Sequence, residues 1–326
     1  MRLLSRASLL RGIFTCYACC SYQILLAVRL QISRHGTAPL QEGKSQPEAA
    51  PDHLTSEAEN MMPWQLTLAH TDYLFQLTAL LRDPVYRGID IPHGRGEPVL
   101  LIPGFFAGDW TLWVMAGWLN RMGYHAYFSG LDWNVDCPNR TGELLQWRLD
   151  HITKHSDIPI TVIGHSLGGM LARFLGNNFP EKICQVIALG SPIDRAMRVH
   201  PLVHSAFLLL QPLRRLKGRT ARQCGSPQCT CHFSRTVFSP LPTGVGFTAV
   251  FSKEDEIVDW RTSLDPAGDN QQVSGRHMGL IVNPQVYRVI ARVLALHGQG
   301  HSPEERSIQA REPLSNGLDP SAKMSF

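Results

Sequence analysis

Apolar residues along the middle of the chain follow two alternating patterns. Continuous apolar runs such as 158–164 are typical of strands that are buried on both faces of a sheet. Between these runs, apolar residues recur three and four positions apart, which predicts amphipathic helices. The predicted strands are 97–105, 124–130, 158–164, 183–192 and 246–252, and the predicted helices are 64–82, 109–123, 142–155, 167–180 and 283–296.

This alternation of strands and helices predicts an α/β fold with a mainly parallel sheet and helices on both faces. In such a sheet, ligands bind beyond the carboxyl ends of the strands. Five loops leave those ends and should lie together, so they define the expected site. They are residues 103–109, 164–168, 191–195, 252–260 and 273–279.

Composition and pattern also divide the chain into segments. Residues 193–245 fit no strand–helix unit, and we interpret them as a small cap inserted over the strand ends. A peripheral helix that covers sheet surface is the alternative. The predicted segments are a hydrophobic leader (1–32), a flexible linker (33–60), the first part of the core (61–192), the cap (193–245), the second part of the core (246–298) and a disordered tail (299–326).

The leader contains 17 consecutive uncharged residues at 12–28, preceded by three arginines. This length is at the lower limit for a helix that crosses a bilayer. The leader therefore favours a membrane-associated protein that is anchored through residues 12–28. An arginine-rich, acid-free start is also typical of an organellar transit peptide, and a plain surface helix is the third alternative.

Charge is concentrated in the leader. The net charge is +4, but residues 1–41 contain five arginines and no acid, which leaves −1 for the remainder. No basic stripe interleaved with aromatic residues follows the leader, so a nucleic-acid partner is not expected. A hydrophobic fraction of 44% is ordinary for a globular protein and permits a substantial core.

Candidate chemistry lies in TVIGHSLGGMLARFLG (161–176), where Ser166 occupies the corner between a predicted strand and a predicted helix. Gly164 and Gly168 permit the close backbone approach that this turn requires, so the hydroxyl should project from the sheet. The backbone N–H of Leu167 lies at the helix N-terminus, where it can stabilise an oxyanion. The pattern indicates a nucleophilic serine, and a serine that only caps the helix is the alternative.

A nucleophilic serine needs a histidine base that is oriented by an acid, and in this fold they follow in the order serine, acid, histidine. Among 14 histidines, His277 lies in the last loop before the last helix and is the candidate base. The side chain of His165 is expected to point away from the site. In FSKEDEIVDW, Asp255 is the candidate acid and Asp259 the runner-up. The unused acids, Glu254 and Glu256, are expected to be solvated turn charges.

The second oxyanion donor should come from IPGFFAGDW, which follows the first predicted strand. Pro103 has no N–H, so the backbone N–H of Phe105 is the candidate. The side chains of Phe105 and Phe106 can line an apolar acyl pocket. As the alternative, they belong to the core.

The motifs LLIPGF, VIGHSLGG, ALGSP, SKEDEIVDW and RHMGL resemble the α/β-hydrolase superfamily, specifically its serine esterase and lipase branch, and they span about residues 97–296. The resemblance implies Ser166 as nucleophile, Asp255 as acid, His277 as base, and the amides of Phe105 and Leu167 as oxyanion hole. It implies hydrolysis of a small-molecule or lipid ester without a cofactor. An acyltransferase with the same triad and a non-catalytic binding protein of this fold are the alternatives.

A cysteine cluster lies within the predicted cap. CGSPQCTCH (224–232) contains Cys224, Cys229, Cys231 and His232. A disulfide that could include Cys137 or Cys184, buried free thiols and a zinc site are three open alternatives. The spacing of the cluster matches no known zinc pattern, so no metal is expected.

Overall fold

The computed structural model of the protein describes residues 63–154, 158–212 and 231–298. The predicted leader, linker and tail, together with Cys224 and Cys229, lie outside the described residues, and so does the anchor predicted at 12–28. Within the three described ranges, no helix is both long enough and apolar enough to span a bilayer.

Within the described ranges, six parallel strands form one sheet in the order β2-β1-β3-β4-β5-β6. The inner strands are almost entirely buried, as their continuous apolar sequences predict. The predicted α/β class with a mainly parallel sheet is confirmed. The strands are β1 (Pro98–Ile102), β2 (His125–Phe128), β3 (Ile160–His165), β4 (Ile183–Leu189), β5 (Gly246–Ser252) and β6 (Asp269–Val273).

The sequence pattern did not predict β6. This strand reads DNQQV, and its side chains are buried only at Asp269 and Val273. Among the described strands, it forms the edge of the sheet and pairs only with β5, where Ser252 lies opposite Val273. An edge strand can carry polar side chains because one of its sides faces no other strand, so a search for apolar runs misses it.

Eight α-helices surround the sheet within the described residues. The segment predicted as a helix at 109–123 begins as a 3₁₀-helix, and the helix predicted at 142–155 begins earlier, at Pro138, because proline fits the first helical turn. The helices are α1 (Pro63–Arg82), α2 (Pro84–Arg87), α3 (Trp113–Arg121), α4 (Pro138–Thr153), α5 (Leu167–Asn178), α6 (Pro201–Leu209), α7 (His232–Thr236) and α8 (Pro284–Gly298); 3₁₀-helices span Asp109–Leu112, Trp260–Ser263 and His277–Val282.

The core lies on both faces of the sheet. On one face, Leu100 and Val162 pack with side chains of α4 and α5. Trp118 of α3 and Tyr287 of α8 form another buried contact, with their ring centroids 4.7 Å apart. The Trp118 indole donates a hydrogen bond to the carbonyl of Val85 in α2, so the polar atom of this large buried ring is satisfied.

The predicted cap has two described parts with different surroundings. In 193–212, Phe207 of α6 contacts Phe105 in the loop that follows β1. In 231–245, Phe233 and Val237 are buried in the core beside α4 and α5. The polar member of the cysteine cluster, His232, is hydrogen-bonded to Asn178 at 2.6 Å.

Arg173 of α5 is a buried charge that joins three segments. Its guanidinium lies 2.6 Å from Asp265 in the loop before β6, and it donates to the carbonyls of Val237 and Ser239. The side chain of Arg173 is only 6% exposed and that of Asp265 only 11%. Removing one partner of such a pair leaves an uncompensated buried charge.

We expect Asp265→Ala to lower the free energy of unfolding by about 3 kcal/mol, because it leaves the buried Arg173 guanidinium without its carboxylate partner. Asp150→Ala is the matched control, since Asp150 pairs with Lys182 at the same 2.6 Å but on the surface. The control should lose less than about 1 kcal/mol. Urea denaturation followed by circular dichroism measures both, and equal losses would contradict the expectation.

Candidate active site

Ser166 occupies a strained corner between β3 and α5. Strand β3 ends at His165, α5 begins at Leu167, and Ser166 has φ +53° and ψ −121°. A Cβ at Gly164 would overlap the carbonyl of Gly168, and one at Gly168 would overlap the carbonyl of Ile102. Glycine is therefore required at both positions, as the sequence motif predicts.

The carboxyl end of β4 lies beside all three residues of the candidate triad. The carbonyl of Leu189 accepts the Ser166 N–H at 2.8 Å. Gly190 has φ +54°, and a Cβ there would lie 3.0 Å from Asp255 Oδ2 and 3.2 Å from His277 Nδ1. The three candidate residues, which are far apart in the chain, thus lie around Leu189 and Gly190 at the carboxyl edge of the sheet.

Asp255 and His277 form a buried pair. Asp255 Oδ2 lies 2.7 Å from His277 Nδ1, and their side chains are 2% and 4% exposed. The second oxygen of Asp255 accepts the backbone N–H groups of Ile257 and Val258. Since a carboxylate can only accept, Nδ1 of His277 must carry a hydrogen. The lone pair of the neutral imidazole is therefore on Nε2.

The runner-up acid, Asp259, has a different environment. Its side chain caps the 3₁₀-helix Trp260–Ser263 by accepting the backbone N–H of Arg261. It also forms ion pairs with Arg198 and Arg261 at 3.4 and 3.3 Å. These neighbours lower the pKa of Asp259, although its burial acts in the opposite direction. The structure pairs Asp255, not Asp259, with His277.

The electrostatic environment favours the charged form of His277. Burial by itself lowers the pKa of this imidazole, but the negative charge and the hydrogen bond of Asp255 raise it, and the charge of Glu256 raises it further. The net direction is upward from the ordinary value of 6.5. A proton arriving at Nε2 is therefore stabilised by the acids around the ring.

His165 does not point away from this pair, contrary to expectation. Its Nε2 lies 3.1 Å from the carbonyl oxygen of His277, and the two imidazole rings have centroids 4.7 Å apart. Burial, aided by the charge of His277, lowers the pKa of His165 to about 3. His165 is therefore neutral, and its Nε2–H donates to the His277 carbonyl.

The two candidate oxyanion donors are the backbone N–H groups of Leu167, which follows Ser166, and of Phe105, in the loop after β1. Leu167 is the first residue of α5, so its N–H has no intrahelical acceptor. Phe105 follows Gly104, where a Cβ would lie 3.2 Å from the Ser166 Cβ. The loop after β1 thus runs directly past the serine.

Asn134 holds this loop and was not predicted from the sequence. Its backbone carbonyl accepts the N–H of Phe106, its own N–H donates to the carbonyl of Ala107, and its side-chain amide donates to the carbonyl of Pro103 at 2.9 Å. Asn134 is 1% exposed. It comes from the loop after β2, in a stretch of chain where no sequence pattern distinguishes it.

Aromatic side chains cluster at the loop that follows β1, which passes Ser166 at Gly104. The rings of Phe105 and Phe106 pack edge to face with centroids 4.7 Å apart, and the ring of Phe207 lies 5.7 Å from that of Phe105. Phe105 and Phe106 are only partly buried, so they are not ordinary core residues.

Glu254 and Glu256 are not merely solvated turn charges. Glu254 accepts the backbone N–H of Gly275, and Glu256 accepts that of His277. Asp72 of α1, which the sequence did not single out, accepts the N–H of Arg276. Three carboxylates therefore bind the backbone of the segment that carries the histidine.

We expect Asn134→Ala to lower the free energy of unfolding by about 1–3 kcal/mol, since it removes a buried donor and leaves the Pro103 carbonyl unsatisfied. Asn120→Ala is the control, because the exposed Asn120 makes one side-chain hydrogen bond, to Ala126, and should cost less than about 1 kcal/mol. Thermal and urea denaturation measure both. If Asn134→Ala lowered the free energy of unfolding no more than Asn120→Ala, the hydrogen bond from Asn134 to Pro103 would not stabilise the fold as expected.

The chain resembles known proteins at two levels, a family model and a set of solved structures. The family model of a PGAP1-like alpha/beta domain matches residues 142–212. A comparison with curated proteins finds no match. Similar solved structures include a monoacylglycerol lipase from Paleococcus ferrophilus (15% identity, 63% of this chain, 97% of that chain, TM-score 0.44), a mature lipase from Bacillus licheniformis (15%, 64%, 95%, 0.46) and a methylesterase from Arabidopsis (13%, 61%, 99%, 0.42).

The fold assignment depends on the protein's own geometry. Six parallel strands in the order β2-β1-β3-β4-β5-β6 place the Ser166 corner at the centre of the carboxyl edge, and the loops after β5 and β6 bring an aspartate and a histidine together there. The described residues therefore have the predicted α/β architecture with a parallel sheet, and the family model that matches residues 142–212 is likewise that of an alpha/beta domain.

Proposed function

We propose that the protein is a serine hydrolase that cleaves carboxylic esters through an acyl-enzyme on Ser166. The observation that carries this proposal is the buried 2.7 Å contact between Asp255 and His277, formed beside the strained serine corner. An aspartate that orients a histidine, which in turn activates a serine, is the arrangement that acyl transfer requires. The lipases and esterases among structures of similar fold are consistent with this assignment.

The proposed reaction begins with proton transfer from the Ser166 hydroxyl to Nε2 of His277 as the oxygen attacks the ester carbonyl. The backbone N–H groups of Phe105 and Leu167 stabilise the resulting oxyanion, and a single such donor typically contributes about 3–4 kcal/mol. The imidazolium then protonates the departing alcohol. Water activated by the neutral His277 releases the carboxylic acid and restores the serine.

The proposed substrate is a hydrophobic or lipid-like ester. Phe105, Phe106 and Phe207 form an aromatic cluster at the loop that passes Ser166, which favours an acyl chain over a polar group. A membrane association through residues 12–28 fits the same proposal, because it would bring the site close to lipid.

Two alternatives differ from hydrolysis in what happens at the serine. An acyltransferase uses the same triad but passes the acyl group to an alcohol. Supplying a long-chain alcohol in competition with water and measuring the ester formed separates these two reactions. A non-catalytic binding protein has no need for a histidine oriented by a buried acid, so the Asp255–His277 pair favours catalysis.

We expect Ser166→Ala to lower kcat for p-nitrophenyl esters by at least about 10³-fold, because no nucleophile remains. Labelling by a fluorophosphonate should be lost as well. Ser239→Ala is the control, since that exposed hydroxyl donates to the carbonyl of Arg235, and it should retain wild-type turnover and labelling. Full turnover by the Ser166→Ala variant would refute the mechanism.

We expect kcat/KM to fall as the pH drops through the pKa of His277, because only the neutral imidazole acts as a base. The pKa of His277 is raised, so the midpoint of this acid limb should lie above 6.5. Asp255→Asn removes the charge that raises this pKa, and it should move the midpoint to lower pH while lowering kcat by about 10³–10⁴-fold. The pH–rate profiles of the two proteins provide the measurement, and a midpoint that did not move would contradict the assigned pair.

A further inference from the structure

Residues 274–277, which we call the histidine loop, have every backbone N–H bound by a side chain. The acceptors come from three separate parts of the chain: α1, the loop after β5, and α8. In order along the loop, Ser274 donates to Gln285 at 2.9 Å, Gly275 to Glu254 at 3.0 Å, Arg276 to Asp72 at 3.0 Å, and His277 to Glu256 at 3.3 Å.

Three of these four acceptors are carboxylates: Asp72, Glu254 and Glu256, which we call the carboxylate clamp. A backbone N–H bound to an ionised carboxylate makes a stronger hydrogen bond than one bound to a neutral acceptor. Ordinary loops leave such groups to water or to a single turn bond. The histidine loop is therefore held by four side-chain hydrogen bonds, three of them to carboxylates.

Asp72 reaches the loop because a glycine leaves it room. A Cβ at Gly279 would overlap Asp72 Oδ2. At Gly275, which has φ +100°, a Cβ would lie 2.8 Å from the side chain of Gln76, the next residue of α1 on the same face. The glycines in SGRHMGL thus allow α1 to pack directly against the histidine loop.

Glu254 and Glu256 lie on either side of Asp255 in sequence. Asp255 binds the imidazole ring, while its two neighbours bind the backbone of the same loop. Glu256 is half-buried, and within the described part of the chain its Oε1 has no hydrogen-bond partner. Burial raises the pKa of Glu256, and the charge of Asp255 raises it further, while backbone hydrogen bonds and His277 oppose the shift.

We propose that Asp72, Glu254 and Glu256 are positioning residues that fix the histidine loop, so that the His277 ring stays aligned between Asp255 and Ser166. This inference rests on the proposed hydrolase function. The clamp touches the backbone of the loop and not the reacting atoms. It connects α1, which precedes the first strand, to the catalytic histidine.

The clamp should act on the chemical step and not on substrate binding. A misplacement of a catalytic group by about 1 Å can cost about 10²-fold in rate. The three carboxylates bind the backbone of residues 275–277, whereas the proposed acyl-binding surface is formed by Phe105, Phe106 and Phe207. Loss of the clamp should therefore lower kcat and leave KM nearly unchanged.

The experiment uses full-length variants with a p-nitrophenyl ester as substrate. Asp72→Ala and Glu256→Ala remove an acceptor, and we expect kcat to fall about 10–100-fold with KM within about twofold. Asp72→Asn and Glu256→Gln keep an acceptor oxygen and should retain most of the wild-type kcat. Glu181→Ala is the matched control, because Glu181 is an exposed acid near the start of β4, at the opposite edge of the sheet, and it should behave as wild type.

The pH profile separates two effects of Glu256: its charge, which raises the pKa of His277, and its hydrogen bond to the loop backbone. Two acids on the loop after β5, Asp255 and Glu256, act on the His277 ring, and the neutral ring of His165 is in contact with it. The charged side chains at the loop backbone are Asp72, Glu254 and the loop's own Arg276. Glu256→Gln removes a charge that raises the pKa of His277, so its acid limb should move to lower pH at nearly unchanged maximal kcat. Glu256→Ala should show both the shift and the loss of kcat.

Hydrogen exchange of the loop amides tests the clamp without relying on turnover. We expect faster exchange at residues 274–277 in Asp72→Ala than in wild type, and near-wild-type exchange in the isosteric Asp72→Asn. Alanine variants with wild-type kcat and unchanged exchange would overturn the proposal. If wild-type protein neither hydrolyses esters nor reacts with fluorophosphonate, the proposed function fails instead, and the exchange data still decide whether the clamp orders the loop.

Discussion

The contact between β3 and α5 at their shared corner constrains the rest of this protein. Gly164 and Gly168 approach so closely that no side chain fits at either position, and Ser166 between them is forced to a positive φ. Such a conformation costs about 1–3 kcal/mol and persists only where surrounding structure enforces it. Here the enforcement comes from β1 and β4, whose ends contact Gly168 and the Ser166 N–H. The corner places the serine hydroxyl at the centre of the carboxyl edge, and every other part of the site is arranged around that point.

The supporting residues share a common principle, which is that loops near the serine are held by hydrogen bonds from polar side chains. Asn134 holds the loop that carries Phe105, and the carboxylate clamp holds the loop that carries His277. Loops have little apolar surface of their own to bury, so directed hydrogen bonds must provide their rigidity. Arg173, in the middle of α5, holds a more distant part of the chain in a similar way, since it pairs with Asp265 and donates to the carbonyls of Val237 and Ser239. A preorganised site of this kind avoids much of the reorganisation that a reaction would otherwise require.

The histidine pair illustrates how environment assigns roles to identical side chains. His165 and His277 have their rings in contact, and both are buried, yet their pKa values move in opposite directions. His277 has Asp255 and Glu256 close to it, and their charges outweigh the effect of burial. For His165, burial outweighs both the hydrogen bond to the His277 carbonyl and the charge of Asp255, so this ring stays neutral. One imidazole can therefore accept a proton near neutral pH, while the other serves as a fixed hydrogen-bond donor.

The sequence alone determined the α/β class, the inner strands and the serine corner, because continuous apolar runs and a glycine-flanked serine are local signals. It also identified Asp255 and His277 from their places in the chain order, and these two residues do form a pair. Tertiary structure decided the rest. The polar strand β6 exists because it pairs with β5 at the edge of the sheet, and no local pattern reveals such a partner. Asp72 lies 204 residues from Arg276, and Asn134 lies 31 from Pro103. Asp72 and Asn134 act on backbone groups that only the folded chain brings near them. A hydrogen bond between such distant residues produces no periodic pattern in the sequence.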